Sequence, residues 1–243
     1  MTFHRFALTG VMAVAGLAVS TGASALTLNT AGLKATSVLT LSYAGYGSAT
    51  GAGVSFVPLG NMTKIGDVSV YDPDLDENVL VPSYNQPVTK ADVAVGWDLK
   101  IKPKSGQASR SALQLVRTGK GGVKNWVVLA NFDVNFTDKM LYGDVFTSAG
   151  TVLNHVPIYS FKDNGDLKIS LKGLALTMKQ SISELYFQPV TSDEIGKTLA
   201  LSVPLKAVLV STDWGNIKID VSTALRIPKV NDKPLTIADI PAP

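Results

Sequence analysis

Apolar and polar positions alternate along much of this chain. Phe132, Val134 and Phe136 are separated by Asp133 and Asn135. In an extended strand that period of two sets rings and branched chains on one face and polar groups on the other. Turns at Thr137-Asp138-Lys139 and around Ala149-Gly150 then lead into Met140–Phe146 and Val156–Phe161. The stretch Trp126–Phe161 therefore reads as a β-meander around which the rest of the chain packs. The same alternation returns at Leu167–Leu171 and Ile217–Val221.

Other runs rich in small and β-branched residues predict further strands at Thr36–Tyr43, Val54–Val57, Asp67–Tyr71, Ala91–Ile101, Ala112–Arg117, Leu199–Leu205 and Ala207–Ser211. Gly45–Gly53 holds four glycines in nine positions and predicts a loop. Hairpin loops are expected at Gly106–Ser109 and Gly119–Gly122, and Asn164-Gly165 suits a type I′ hairpin turn. Leu174, Met178, Ile182 and Leu185 recur at helical spacing, and Ser181–Glu184 supplies a capping box, so a short helix is predicted near residues 177–187. From Pro228 the chain is Pro-rich and polar, which predicts a loose tail over 229–243. The fold class expected is a mainly antiparallel β-sandwich with one short helix, formed as a single domain over residues 26–228. A split near Gly119–Gly122 is the alternative.

The N-terminus changes the picture of compartment. Arg5 precedes the apolar run Ala7–Val19, and Ala23-Ser24-Ala25 offers the small residues a signal peptidase needs. Residues 1–25 are expected to be a signal peptide, and the protein to be exported to the periplasm or the extracellular space. A retained anchor is the alternative, but the run is shorter than the roughly 20 residues that span a bilayer. No transmembrane segment is expected after signal removal. An outer-membrane barrel is disfavoured, since aromatics make up only 7% of residues and form no girdles. The chain has no cysteine, so neither a disulfide nor a lipidation cysteine is available. Hydrophobic residues at 46% supply a core instead. The net charge of +3 loses one unit when Arg5 leaves, which is too little to imply nucleic acid.

Catalytic chemistry has few candidates. His155 is the only histidine beyond the leader, and there is no Gly-x-Ser-x-Gly elbow, no Ser-x-x-Lys pair and no cysteine nucleophile. Glu77, Glu184 and Glu194 are the only glutamates, and most aspartates sit beside turn formers. Gly45-x-Gly47 lacks the third glycine of a dinucleotide fingerprint, and Gly196-Lys197-Thr198 lacks the first glycine of a P-loop. A non-enzymatic protein is expected.

Binding candidates remain. Asp72, Asp74 and Asp76 alternate as in a calcium loop, but Glu77 and Ser83 stand where that loop needs glycine and glutamate, which favours a solvated acidic turn. Lys100, Lys102, Lys104, Arg110, Arg117, Lys120 and Lys124 fall in a stretch without acidic residues. Strand-edge protection is the first reading of these cations, and binding of an anionic glycan or envelope component the second. Tyr43 and Tyr46 flank the glycine-rich stretch, as a ligand platform or as cover for a small core. His155 is expected to face outward, as a solvated residue or, less simply, as a metal or haem contact. Self-association through strand edges is a further expectation.

Val127–Leu205 resembles the second half of the bacterial Hta-type haem-transport domains. The resemblance is carried by Leu129–Val134, Leu141-Tyr142-Gly143-Asp144-Val145, Leu176-Thr177 and Gly196-Lys197-Thr198-Leu199. It implies an exported β-sandwich with haem as a ligand. Of the family's Ser-Phe-Arg-x-Tyr pattern, whose tyrosine meets haem iron, this chain offers only Leu41-Ser42-Tyr43. The function expected is binding or assembly at the cell envelope, with haem or small-ligand binding as the alternative.

Overall fold

The computed structural model describes residues 24–72, 75–95, 101–165, 167–172 and 175–241. The signal-peptide expectation falls almost wholly outside these residues. In chain order the first half holds β1 (Ser24–Asn29), β2 (Leu33–Leu41), α1 (Tyr43–Gly51), β3 (Val54–Gly60), β4 (Thr63–Asp72), β5 (Glu77–Pro87), β6 (Lys90–Val95) and β7 (Ile101–Thr118). The second half holds β8 (Lys124–Asn135), β9 (Met140–Thr147), β10 (Val152–Asp163), β11 (Lys168–Lys172), β12 (Ala175–Phe187), α2 (Pro189–Thr198), α3 (Val203–Ser211) and β13 (Gly215–Leu225).

The strands join in one antiparallel sheet of order β1-β6-β7-β8-β9-β10-β12-β13-β2-β5-β4, with β3 also on β7 and β11 also on β12. Strand β5 runs on into β6 through Val88 and Thr89. The Val88 amide still bonds Ala35 of β2, while the Thr89 amide bonds Gln107 of β7. One stretch of chain therefore serves both ends of the strand order, and the sheet folds back on itself. The all-β, sandwich-like fold class follows from this arrangement, and β8, β9 and β10 are the meander read from the sequence.

The inward residues form one large core, including Leu39, Tyr84, Leu129, Val145, Ile158, Ile182, Leu185 and Ile217. Among the described residues, four non-glycine residues with positive φ interrupt the strands: Arg110, Asn131, His155 and Glu184. Each lies where the register slips against a neighbouring strand. Such bulges add a residue to one strand and bend it, which helps the sheet curl.

The helix expected near residues 177–187 is strand β12. Met178, Gln180 and Ile182 are buried at a spacing of two, as a strand requires. The bulge at Glu184 inserts one residue, and burial resumes at Leu185 and Phe187. The resulting steps of four and three imitate a helix in the sequence.

Helices form elsewhere. The loop expected at Gly45–Gly53 is largely α1, where Ser42 Oγ caps the Gly45 amide at 2.9 Å. Its small residues permit a close approach to Trp214: a Cβ on Gly45 would lie 3.1 Å from the indole. The strands expected over Leu199–Leu205 and Ala207–Ser211 are a turn and α3, started by Ser202 and Pro204 and held by buried Leu209. Trp214 is buried against Phe187, and its indole N–H donates to the Leu209 carbonyl at 3.0 Å.

Two expected hairpin loops also differ. Residues 106–109 lie inside the continuous strand β7. The Asn164-Gly165 turn does not pair β10 with β11, because both lie along β12 one after the other. The tail is not loose over its described length. Leu235 is 2% exposed and packs on Ala112, Val128, Ala130 and Phe146. No described helix is long and apolar enough to cross a membrane.

Candidate functional site

The outer face of β2, β13, β12 and β11 is polar, and register places its side chains in rows. One row runs Lys168, Lys179, Asp220, Thr36. The next runs Ser181, Lys218, Val38, and the one beyond it Asn216, Thr40. Lys168 and Lys179 are direct cross-strand partners. Like charges placed so are mutually destabilising. Asp220 answers only part of this charge, with one oxygen 3.2 Å from Lys179 Nζ. Lys168, Lys179 and Lys218 are all exposed.

These residues line a groove of about 520 Å³ with Thr36, Ser181, Asn164 and Gly165. The broken path from β10 to β11 builds its rim. Asn164 N bonds Ser181 O, and the Gln180 carboxamide donates to Gly165 O at 2.7 Å and to Asp163 Oδ1. The groove thus offers three ammonium groups, hydroxyls and an amide, which suits an anion bearing several oxygens.

This set is not marked in the sequence. Its lysines lie on three strands and are interleaved with Asp163, Asp220 and neutral residues, so no charged run marks them. Period-two alternation in Lys168-Ile169-Ser170 and Lys218-Ile219-Asp220 was the available signal.

A second depression, of about 290 Å³, lies further along the same face. Tyr43 lines it, with Val70, Tyr71, Asp72 and Val79 of the β4–β5 hairpin and with Ser183, Asp213 and Asn216. Asp213 Oδ1 accepts the amides of Leu185 at 3.0 Å and Gly215 at 2.8 Å. Burial pushes the Asp213 carboxyl above the usual aspartate value, and those two amides pull the other way. Asn216 Oδ1 is buried without a hydrogen-bond partner.

The structure does not gather the remaining expected residues into one site. Tyr46 is half-buried, and its ring centroid lies 6.0 Å from that of Phe56. His155 is exposed on the β10 bulge. It stacks on Tyr142 at 4.9 Å, and its backbone amide donates to Asp144 Oδ1 at 2.8 Å. Lys102 and Lys104 are exposed at the start of β7, and Lys124 at the start of β8. Arg117 lies 15 residues beyond Lys102, up to about 50 Å along a strand, and donates to the carbonyls of Ala52, Leu199 and Ala200. Arg110 pairs with Asp239 at 2.8 Å. Lys120 opens the short 3-10 turn between β7 and β8. Lys100 and Asp74 lie outside the described residues. Asp76 accepts the Tyr71 hydroxyl at 2.6 Å and Asp72 the Leu75 amide at 3.2 Å, as a hairpin tip requires. No group of three His, Cys, Asp or Glu among the described residues is placed to hold a metal ion.

No family model matches this sequence. No curated protein matches it either. Among solved structures, the chain is similar to the C-terminal domain of HtaA from Corynebacterium glutamicum. The identity is 14%, covering 79% of this chain and 98% of that one, with a TM-score of 0.42. This is a weak structural resemblance to an Hta-type domain.

Proposed function

We propose that this chain is an exported, non-enzymatic binding protein of the cell envelope that holds an anionic ligand, such as an acidic glycan, in the Lys168–Lys179–Lys218 groove. The opposition of Lys168 and Lys179 carries the reading. A strand pair selected for stability alone would not keep two cations face to face, whereas a bound anion relieves their repulsion. Export rests on the leader-like residues before Leu26. Mass spectrometry of the mature N-terminus tests it.

The ligand reading is tested by calorimetric titration with a polyuronate at several salt concentrations. Affinity should fall steeply with salt, as screening of exposed charges demands. Lys168→Ala and Lys179→Ala should each weaken binding about tenfold, the loss of one charge-assisted contact. Lys102→Ala and Lys104→Ala should leave it unchanged. Equal losses in both pairs would make the effect one of general charge and remove the groove as the site.

Haem fits the lining residues poorly. The Tyr43 depression presents Asp72 and Asp213 and, among its described lining residues, no cation to meet the propionates. His155 lies outside that lining. Haem titration is expected to give no shift of the Soret band.

A further inference from the structure

We infer that the interior of the folded sheet binds a small alcohol, its apolar body between the two leaves and its hydroxyl on Gln86. The large core does not extend through the whole interior. Val88, Met178 and Val221 belong to a second, smaller cluster. Between them and Phe132, Val134 and Ile217 of the large core lies a cavity of about 60 Å³, lined by both sets. Close-packed interiors leave few gaps larger than one water. A water needs about 10–15 Å³ of such space, so this cavity has room for roughly four to six heavy atoms. It lies on the inner side of β12 and β13, whose outer side carries the cationic groove.

Gln86 sets the polar demand of the cavity. It pairs with Ser37 of β2, two residues before Val88 and three before Thr89, whose amide bonds β7. It therefore stands at the crease where the sheet folds back. Gln86 lines the cavity and is only 3% exposed. Among the described residues its carboxamide has no hydrogen-bond partner. The other polar groups of the wall are mostly engaged. Asp92 accepts the hydroxyls of Thr27 and Ser105 at 2.6 Å each, and Gln107 donates to Asp133 at 3.2 Å. Gln180 donates to Gly165 O, but its Oε1 is buried without a partner. An amide left so is costly, and an ion in an apolar cavity would be costlier. A hydroxyl both donates and accepts, as a carboxamide does, and it needs no counter-charge.

The probe is n-butanol, which has five heavy atoms. Titrated into the mature chain, it should give saturable methyl NMR shifts at Val88, Met178 and Val221, with a Kd on the order of 1 mM. Gln86→Met keeps the length of the side chain. It should weaken binding about fivefold, the loss of one neutral hydrogen bond. It should also raise the thermal midpoint of the ligand-free chain, because a partnerless amide has left the interior. Ala108→Leu, which puts a larger side chain into the cavity wall, should abolish the saturable shifts. Should that variant fail to fold, Gln86→Met decides alone. Polyuronate affinity should be unchanged in both, so this inference and the groove stand or fall separately. Shifts that never saturate, as for a cavity that holds only water, would overturn the inference. So would unchanged binding in Ala108→Leu, or a Gln86→Met chain that binds n-butanol as tightly as wild type.

Discussion

The carboxamide of Asn131 clamps the backbone of Leu235 in both directions. Its oxygen accepts the Leu235 amide at 2.8 Å, and its nitrogen donates to the Leu235 carbonyl at 2.8 Å. The same group accepts the Arg110 amide at 3.0 Å and donates to Asp144 Oδ2 at 2.6 Å. One side chain on a bulge thus joins β7, β8, β9 and the tail. Leu235→Ala should cost about 3 kcal/mol, as for other buried leucines. Asn131→Ala should cost at least as much, because it also puts alanine at φ 55°. Asn131→Gly should fall between Asn131→Ala and wild type, since glycine tolerates that φ but cannot clamp the tail. Urea midpoints measure all three.

Two glycines are predicted to differ in sign. Gly215 has φ +125°, and a Cβ there would lie 2.1 Å from the Thr40 carbonyl oxygen. Gly215→Ala should therefore destabilise by about 3 kcal/mol through overpacking and strain. Gly47 lies within α1, and a Cβ there would have nothing within 4 Å. Gly47→Ala should stabilise by about 0.5–1 kcal/mol, the difference between glycine and alanine in a helix. Thermal unfolding of the two variants beside wild type is sufficient.

What the sequence revealed, and what it hid, follows from these details. Alternation identified β8, β9 and β10, because neighbouring strands bury one face of each. It failed at Glu184, where one inserted residue turned period two into a helical spacing. It failed again at α1, since Gly45 looks like a breaker until the Trp214 ring explains why no side chain belongs there. Leu235 is not legible in the sequence, because one apolar residue among prolines and charges carries no period, and only a distant partner such as Asn131 gives it a place. The cationic groove was hidden for a related reason: Lys168, Lys179 and Lys218 become neighbours only through strand pairing.

The groove should reveal itself by opposite effects on stability and binding. Lys168→Glu turns the Lys168–Lys179 repulsion into attraction, so the unfolding midpoint should rise at low salt. The gain should vanish near 1 M salt, where the screening length is about 3 Å. The same variant should lose polyuronate affinity. A lysine that merely solvates the surface would show the first effect without the second, so both readouts on one preparation decide between them.

The two limbs of the pH–stability profile should belong to different carboxylates. Burial raises the Asp133 carboxyl above its ordinary 3.8, although Gln107 donates to one of its oxygens at 3.2 Å. Its other oxygen is buried without a partner. A raised value means that the folded state holds its proton longer than the unfolded chain. Stability from this group therefore declines as pH rises from about 3.8 through the folded value. Asp239 has the opposite sign. The Thr236 amide and then Arg110 hold it down to about 2, so its contribution is present above 3.8 and is lost as pH falls toward 2. Asp133→Asn should thus raise the urea midpoint at pH 7 and leave it nearly unchanged at pH 3. Asp239→Asn should lower it at pH 7 and matter little at pH 2. A loss of stability in Asp133→Asn at pH 7 would show that the folded chain favours the charged form, and that the unpartnered oxygen is satisfied in solution.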